Sequence, residues 1–271
     1  MKGCEQVESF LASADGAARR NPPPELRAHL DKCGPCRELF EFATTEESSA
    51  VRTETRCAIQ RALAASLHPV RPLPCRTTRT VLFVSIFAIG AGLWVFKTGW
   101  NGAAGQSSIQ IAGSLAAVAA AAVLASALLS AEMAPGEGRP ASIGFVVAAA
   151  VGGMAALIAA LFPWEAAGPD WMAPAMKCHV HGALFAIPVA AAALVALRRG
   201  APMCPASAGA GVGLLAGLAA MATLELGCAR HDALHIAAGH LSIPAGAALI
   251  GFLIGKAVER RSHGRRRSLE A

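Results

Sequence analysis

His29, Cys33 and Cys36 stand at the spacing of a metal site, His-x3-Cys-x2-Cys. Residues four apart on a helix share a face, so His29 and Cys33 fall on the same side. A turn at Gly34-Pro35 returns Cys36 to the same point. Structural zinc takes four nitrogen and sulfur ligands in a tetrahedron. Cys4, on a preceding helix packed antiparallel to the second, supplies the fourth. Cys33-Gly-Pro-Cys36 also spells a thioredoxin-type dithiol, but that dithiol belongs at a strand-to-helix junction and nothing here reads as such a strand. The expected chemistry is therefore a structural Zn2+ on Cys4, His29, Cys33 and Cys36, whose thiolates an oxidant can still attack.

A second set of such residues lies far along the chain. Cys178, His179 and His181 come first, then Cys228, His231 and Asp232, then His235 and His240; five of the eight histidines and two of the eight cysteines are in this set. Cys228, His231 and His235 are i, i+3 and i+7, which share a stripe wherever that stretch is helical. Three chemistries stay open: a structural Cys178–Cys228 disulfide, a second, soft-metal site, or a thiol pair that senses oxidant or metal. The candidate sensor set is Cys178, His179, His181, Cys228, His231 and His235.

The elements that must position these groups are apolar helices. Mean hydropathy is +0.47 and only 15% of residues are charged, too apolar for an ordinary soluble domain. Residues 1–79 nevertheless hold 12 Lys/Arg and 10 Asp/Glu, so a polar head separates from an apolar body. In the head, helices are expected over 4–18, from Glu25 behind Pro22-Pro23-Pro24, from Arg37, and over 50–67, the last with an apolar stripe that needs a partner. Six spans follow at about 80–96, 109–129, 143–162, 180–197, 206–226 and 234–254, each near the length a bilayer requires. The expected organisation is all-α: a zinc-binding helical domain over 1–67, a Pro-rich linker over 68–79, a six-helix transmembrane domain over 80–255 and a basic tail over 256–271.

Charge at the span ends sets an expected orientation. One side collects Arg71, Arg76, Arg79, Arg139, Arg198, Arg199 and six tail residues from Lys256 to Arg267; the other collects Lys97, Lys177 and Arg230. Both termini are thus expected in the cytoplasm, in the inner membrane, with no signal peptide ahead of the charged first helix. The Cys178 and Cys228 group then falls on the outer face. A net charge of +6 with a basic tail right after an apolar helix points to membrane lipid, not to direct nucleic-acid contact. Gly209, Gly213 and Gly217, and Gly251 and Gly255, recur every four residues, the spacing at which helices approach closely in lipid. No Walker loop, nucleophile elbow or His-Glu-x-x-His motif is present, so no enzyme is expected.

Two family resemblances enter on these residues. Residues 4–42 resemble the zinc-binding anti-sigma domain, through His29, Cys33, Cys36 and the upstream Cys4. Residues 75–258 resemble the negative-regulator-of-sigma-F type of six-span protein, through Cys178, Arg198-Arg199-Gly-Ala-Pro202, Pro205, the glycine-rich fifth span and Cys228. Where that type has an aromatic followed by His or Tyr early in the last span, this chain has Gly239-His240. The resemblances imply a transmembrane anti-sigma factor. Its head holds a sigma factor, of the extracytoplasmic-function type, away from RNA polymerase, and an outer-face metal or redox signal releases it under stress. A homo-oligomer stays open. Two alternatives are a six-span metal or metabolite transporter with a metal-sensing head, and a membrane thiol oxidoreductase.

Overall fold

The computed structural model describes residues 2–13, 21–48, 53–66, 72–139, 141–164 and 171–270. All regular structure among them is helical. The chain divides into two compact units, residues 1–71 and 72–271.

In the first unit α1 is Lys2–Ser13, α2 Pro24–Leu30, α3 Gly34–Ser48 and α4 Thr53–Ser66. The outer parts of the expected first and fourth helices, 14–18, 50–52 and 67, lie outside the described residues, as do 68–71 of the linker. Proline opens α2, where its missing N–H costs nothing. Two residues separate α2 from the Cys33 that precedes α3. Gly34-Pro35 does not merely end α2; it forms the first turn of α3, again with proline at a position that needs no donor. The core of α1–α3 is small. Val7, Leu26, Leu30 and Cys36 are buried, with Phe10, Leu11 and Phe40 packed half-buried against them.

In the second unit α5 is Arg76–Thr98, α6 Ser108–Glu132, α7 Ile143–Leu161, α8 Met172–Leu197 and α9 Pro205–Gly227. The last helix, α10, runs as three consecutive stretches, Ala233–His235, Ile236–Leu241 and Ser242–Glu270. Six of these helices are long and apolar enough to cross a membrane, which makes the chain a membrane protein of six spans. Local sequence fixes the starts. Ser107 and Gln110 close a reciprocal capping box on α6, Ser142 caps α7 and Asp232 caps α10. Three boundaries move from expectation, the first at α5, which begins at Arg76 inside the expected linker over 68–79. Helix α8 begins at Met172, not near 180, because nothing in Ala175–Val180 breaks a helix. Helix α10 continues past Lys256 to Glu270.

Helix α9 is the centre of the body, buried along almost its whole length. Small residues make that possible. A Cβ on Gly213 would run into the backbone of Ala247, and one on Gly217 into the backbone of Pro244. The α9 and α10 backbones therefore touch directly, the close approach that small residues at four-residue spacing allow in lipid. Around this seam Phe83, Leu129, Met154, Ile158, Leu214 and Leu218 form the apolar core. Outward residues such as Ile89, Leu93, Phe96, Phe145, Leu184 and Ile187 are large, apolar and exposed, as a face toward lipid requires.

Candidate metal centres

In the first unit the Sγ atoms of Cys4, Cys33 and Cys36 and a ring nitrogen of His29 lie within 4.8 Å of one another. Each of these positions has a local cause. His29 stands in the last turn of α2, and its carbonyl accepts the N–H groups of Lys32 and Cys33, both at 3.0 Å. That turn points Cys33 back toward the His29 ring. The Cys36 N–H donates to the Cys33 sulfur at the start of α3, while Cys4 on α1 approaches His29 Nε2 at 3.6 Å.

Charge shows what this set of donors suits. The backbone and side-chain hydrogen bonds from Cys36 lower the Cys33 thiol below its usual value. Burial, together with the nearby Cys4 and Cys33 sulfurs, pushes Cys36 up to about 12. Three thiols this close cannot all ionise beside one another; a cation between them removes the conflict. Three sulfurs and one imidazole nitrogen, within 4.8 Å of one another, are a donor set that a tetrahedral ion takes.

The second unit holds another such group at the end of the bundle where α8 and α10 begin. One ligand atom from each of Cys178, Cys228, His235 and His240 lies within 4.8 Å of the others. The Cys178 and Cys228 sulfurs are 3.6 Å apart, and His235 Nε2 is 3.3 Å from the Cys228 sulfur. The His235 and His240 rings meet edge to face with centroids 5.3 Å apart. Both histidines are 1% exposed.

Of the six residues expected here, Cys178, Cys228 and His235 come together. His179 instead bonds Ser242 through Nδ1 at 2.8 Å, tying α8 to α10. His181 is exposed and turns to the Lys177 carbonyl at 2.7 Å. His231 packs over Gly105. The i, i+3, i+7 stripe does not form as one helix. Cys228 ends α9, the chain reverses over 229–232, and Asp232 starts α10 by accepting the His235 N–H at 2.8 Å.

His240 takes the fourth place through a feature that spacing alone hides. Residues five apart lie on different faces of an α-helix, which turns every 3.6 residues. Residues Ile236–Leu241 are a π-helix, whose i→i+5 bonding stacks residues five apart. His235 and His240 are so stacked. Gly239 beside it allows α8 to pass close, since a Cβ there would press on the Ala175 backbone. The Gly239-His240 pair, a departure in sequence, thus has a steric cause. A glycine followed by histidine five residues after another histidine was the available signal.

The surroundings complete a buried polar pocket. His240 Nδ1 faces Glu225 Oε1 at 3.4 Å, and Glu225 is 3% exposed. His240 Nε2 and His235 Nδ1 are buried with no hydrogen-bond partner. The α5–α6 loop covers the group from above: the Gly102 N–H donates to Leu226 O at 3.0 Å, and Gly102 has no room for a side chain against Cys228. Gln106 reaches the Glu225 carbonyl at 3.0 Å. Burial alone would push the Cys228 thiol up, but hydrogen bonds from the His235 ring and the Arg230 backbone N–H bring it below its usual value.

The opposite end of the bundle carries a separate polar network. Arg79 of α5, nearly fully buried, pairs with Glu137. Glu132 of α6 accepts Ser207 Oγ of α9 at 2.8 Å and Arg139 Nε at 3.0 Å. Glu259 of α10 accepts the Ala206 N–H at 3.0 Å.

Residues 63–260 match the family described as negative regulator of sigma F. No curated protein and no solved structure matches the chain. The match spans most of the chain, and the chain belongs to that family of anti-sigma factors.

Proposed function

We propose that this member of the negative regulator of sigma F family sequesters its sigma factor with the unit formed by residues 1–67 and releases it when the Cys178–Cys228 end of the membrane body receives a metal or oxidant. The sigma factor is of the extracytoplasmic-function type, the membrane is the inner one, and both termini are cytoplasmic. What supports the reading most is a four-ligand group at Cys4, His29, Cys33 and Cys36 in a unit placed ahead of a body that belongs to a family of sigma-factor regulators. Zn2+ suits that donor set best, because thiolate and imidazole in a tetrahedron favour it over harder ions. When bound, it would supply fold stability and no catalysis. The chain's role is regulatory, with no reaction of its own.

The body's polar groups support a signal over transport. Glu225, His235 and His240 sit at one end, and Glu132, Arg79 and Glu137 at the other. Between Ala208 and Ala222, α9 carries only glycine, alanine, valine, leucine and methionine. An ion path normally leaves ionisable groups near the midplane.

The test is co-purification of the full-length chain, solubilised in detergent, from its host, with bound proteins identified by mass spectrometry. Recovery of a sigma factor, and its loss with His29→Ala, is the expected result. A folded, zinc-loaded chain that never carries a sigma factor would overturn the reading.

A further inference from the structure

The second cluster contains two thiols and two imidazoles, and both thiols are needed by either of the states it can reach. We infer that Cys178, Cys228, His235 and His240 form one tetrahedral site for a soft or borderline metal ion, and that two-electron oxidation of its thiols to a disulfide excludes that ion. This deepens the proposed function by defining what its input site can hold. It rests on that reading only for the consequence, not for the chemistry.

Three observations carry the metal half. The four ligand atoms lie within 4.8 Å of one another. His240 shows the geometry of a metal-binding histidine: one ring nitrogen faces a buried carboxylate, Glu225, while the other, Nε2, is buried and unpartnered. Carboxylates placed this way fix the tautomer and aim the free lone pair of a ligand. A buried imidazole nitrogen with no partner is otherwise costly. The ligand atoms are two sulfurs and two imidazole nitrogens, which select zinc, cadmium or cuprous ions over magnesium or calcium. The π-helical turn that brings the His240 ring edge to face with His235 completes the set.

The exclusion follows from the sulfur count. Cys178 and Cys228 are 3.6 Å apart, and a disulfide needs about 2.05 Å, so a small inward shift of each suffices. With hydrogen peroxide as the oxidant, one thiolate attacks an oxygen, the O–O bond breaks and that sulfur becomes a sulfenic acid. The second thiolate then displaces the hydroxyl group. The net change is two thiols and one peroxide giving one disulfide and two waters, with two electrons passing from sulfur to oxygen. Afterwards neither sulfur is a thiolate, and His235 and His240 alone are too few for a tetrahedral ion. Conversely, an ion on both sulfurs occupies the electron pairs the oxidant needs.

The test uses the full chain in detergent, with Cd2+ and hydrogen peroxide as probes. Reduced chain should bind one more Cd2+ than the Cys228→Ser variant, which reports the ions held elsewhere. Peroxide on metal-free chain should produce a Cys178–Cys228 cross-linked peptide, identified by mass spectrometry after digestion. Cd2+ loaded beforehand should slow that cross-link at least tenfold, and the cross-linked chain should bind one ion fewer. The last two measurements use the unaltered sequence, so a variant that misfolds does not decide them. Equal Cd2+ stoichiometry in reduced and cross-linked chain, or equal cross-linking rates with and without Cd2+, would overturn the inference. No sigma factor is present in these assays, so their failure leaves the anti-sigma reading standing, and a failed co-purification leaves this site standing.

Discussion

Replacing Gly213 by alanine adds one methyl group at the tightest point of the α9–α10 seam. The added Cβ would overlap the carbonyl of Ala247 and crowd the nitrogen of Ala248. These are backbone atoms, which no rotamer change can move aside. The helices must separate, and because each is rigid the separation reaches Gly209 and Gly217, which touch Gly251 and Pro244 in the same way. Overpacking of this kind costs about 1–3 kcal/mol, and three coupled contacts place Gly213→Ala at the upper end. Better helix propensity returns about 1 kcal/mol. Gly152→Ala on α7 is the matched control, since a Cβ there meets nothing within 4 Å and only the propensity gain of about 1 kcal/mol remains. The two variants should therefore differ by roughly 2–3 kcal/mol, about two powers of ten in the unfolding equilibrium constant. Reversible unfolding of the full chain in mixed micelles, titrated with a denaturing detergent, reads this difference. Equal midpoints for Gly213→Ala and Gly152→Ala would refute the claim that backbone contact, not side-chain packing, holds α9 to α10.

Loss of the first ion alone, by His29→Ala, should speed amide exchange over Pro24–Leu30 roughly 100-fold, about 3 kcal/mol, while exchange in α9 stays fixed. Glu137→Ala leaves the Arg79 guanidinium, with its side chain 3% exposed, buried and unpaired, and should destabilise the body by about 3–5 kcal/mol. Glu132→Ala should cost less, about 1–3 kcal/mol, because Arg139 is 41% exposed and keeps water; equal losses in chemical denaturation would contradict this account. Cys75 is exposed, and hydrogen bonds to the Thr78 side chain and backbone lower its thiol below the usual value, so it should label readily at neutral pH. A membrane-impermeant maleimide should reach it only after spheroplasts are lysed; labelling in intact spheroplasts would reverse the proposed orientation.

The parts legible in sequence were those with a local cause. The apolar runs mark α6, α7 and α9 to within a few residues, because Ser107, Ser142 and Pro205 start those helices where the runs begin. That the first four residues come together was legible for the same reason: His29, Cys33 and Cys36 lie within eight residues, and only Cys4 needed a tertiary guess. The second group was legible as a neighbourhood and not as a ligand set. His179 and His181 are adjacent to Cys178 in sequence, yet α8 begins early and its helical phase turns one to Ser242 and the other outward. His240 was hidden behind a π-helical turn that no α-helical period describes. Which histidine joins such a site depends on helix phase and on what packs opposite, and neither is written locally.

One helix connects the two ends of the body. At the Cys178 end, α9 finishes at Cys228, and Glu225 one turn earlier faces His240. At the other end, Ser207 in its first turn bonds Glu132 of α6, and the Ala206 N–H bonds Glu259 of α10. Between these points Gly213 and Gly217 are locked against α10 by backbone contact, so α9 and α10 cannot slide independently without breaking the seam. Closing Cys178 onto Cys228, or drawing both onto an ion, pulls the end of α9 toward α8. A close-packed interior does not absorb such a shift gradually; it keeps one arrangement or adopts another. At the opposite end the first turn of α9 is held by Ser207 on Glu132, which also pairs with Arg139. Those contacts join α9 to α6 beside Arg76, whose carbonyl accepts the Ser130 hydroxyl at 3.2 Å, and Arg76 is the first residue of the helix that follows the linker. Along α9 the join to α10 is therefore backbone on backbone, whereas at its first turn the join to α6 is the single Ser207–Glu132 hydrogen bond.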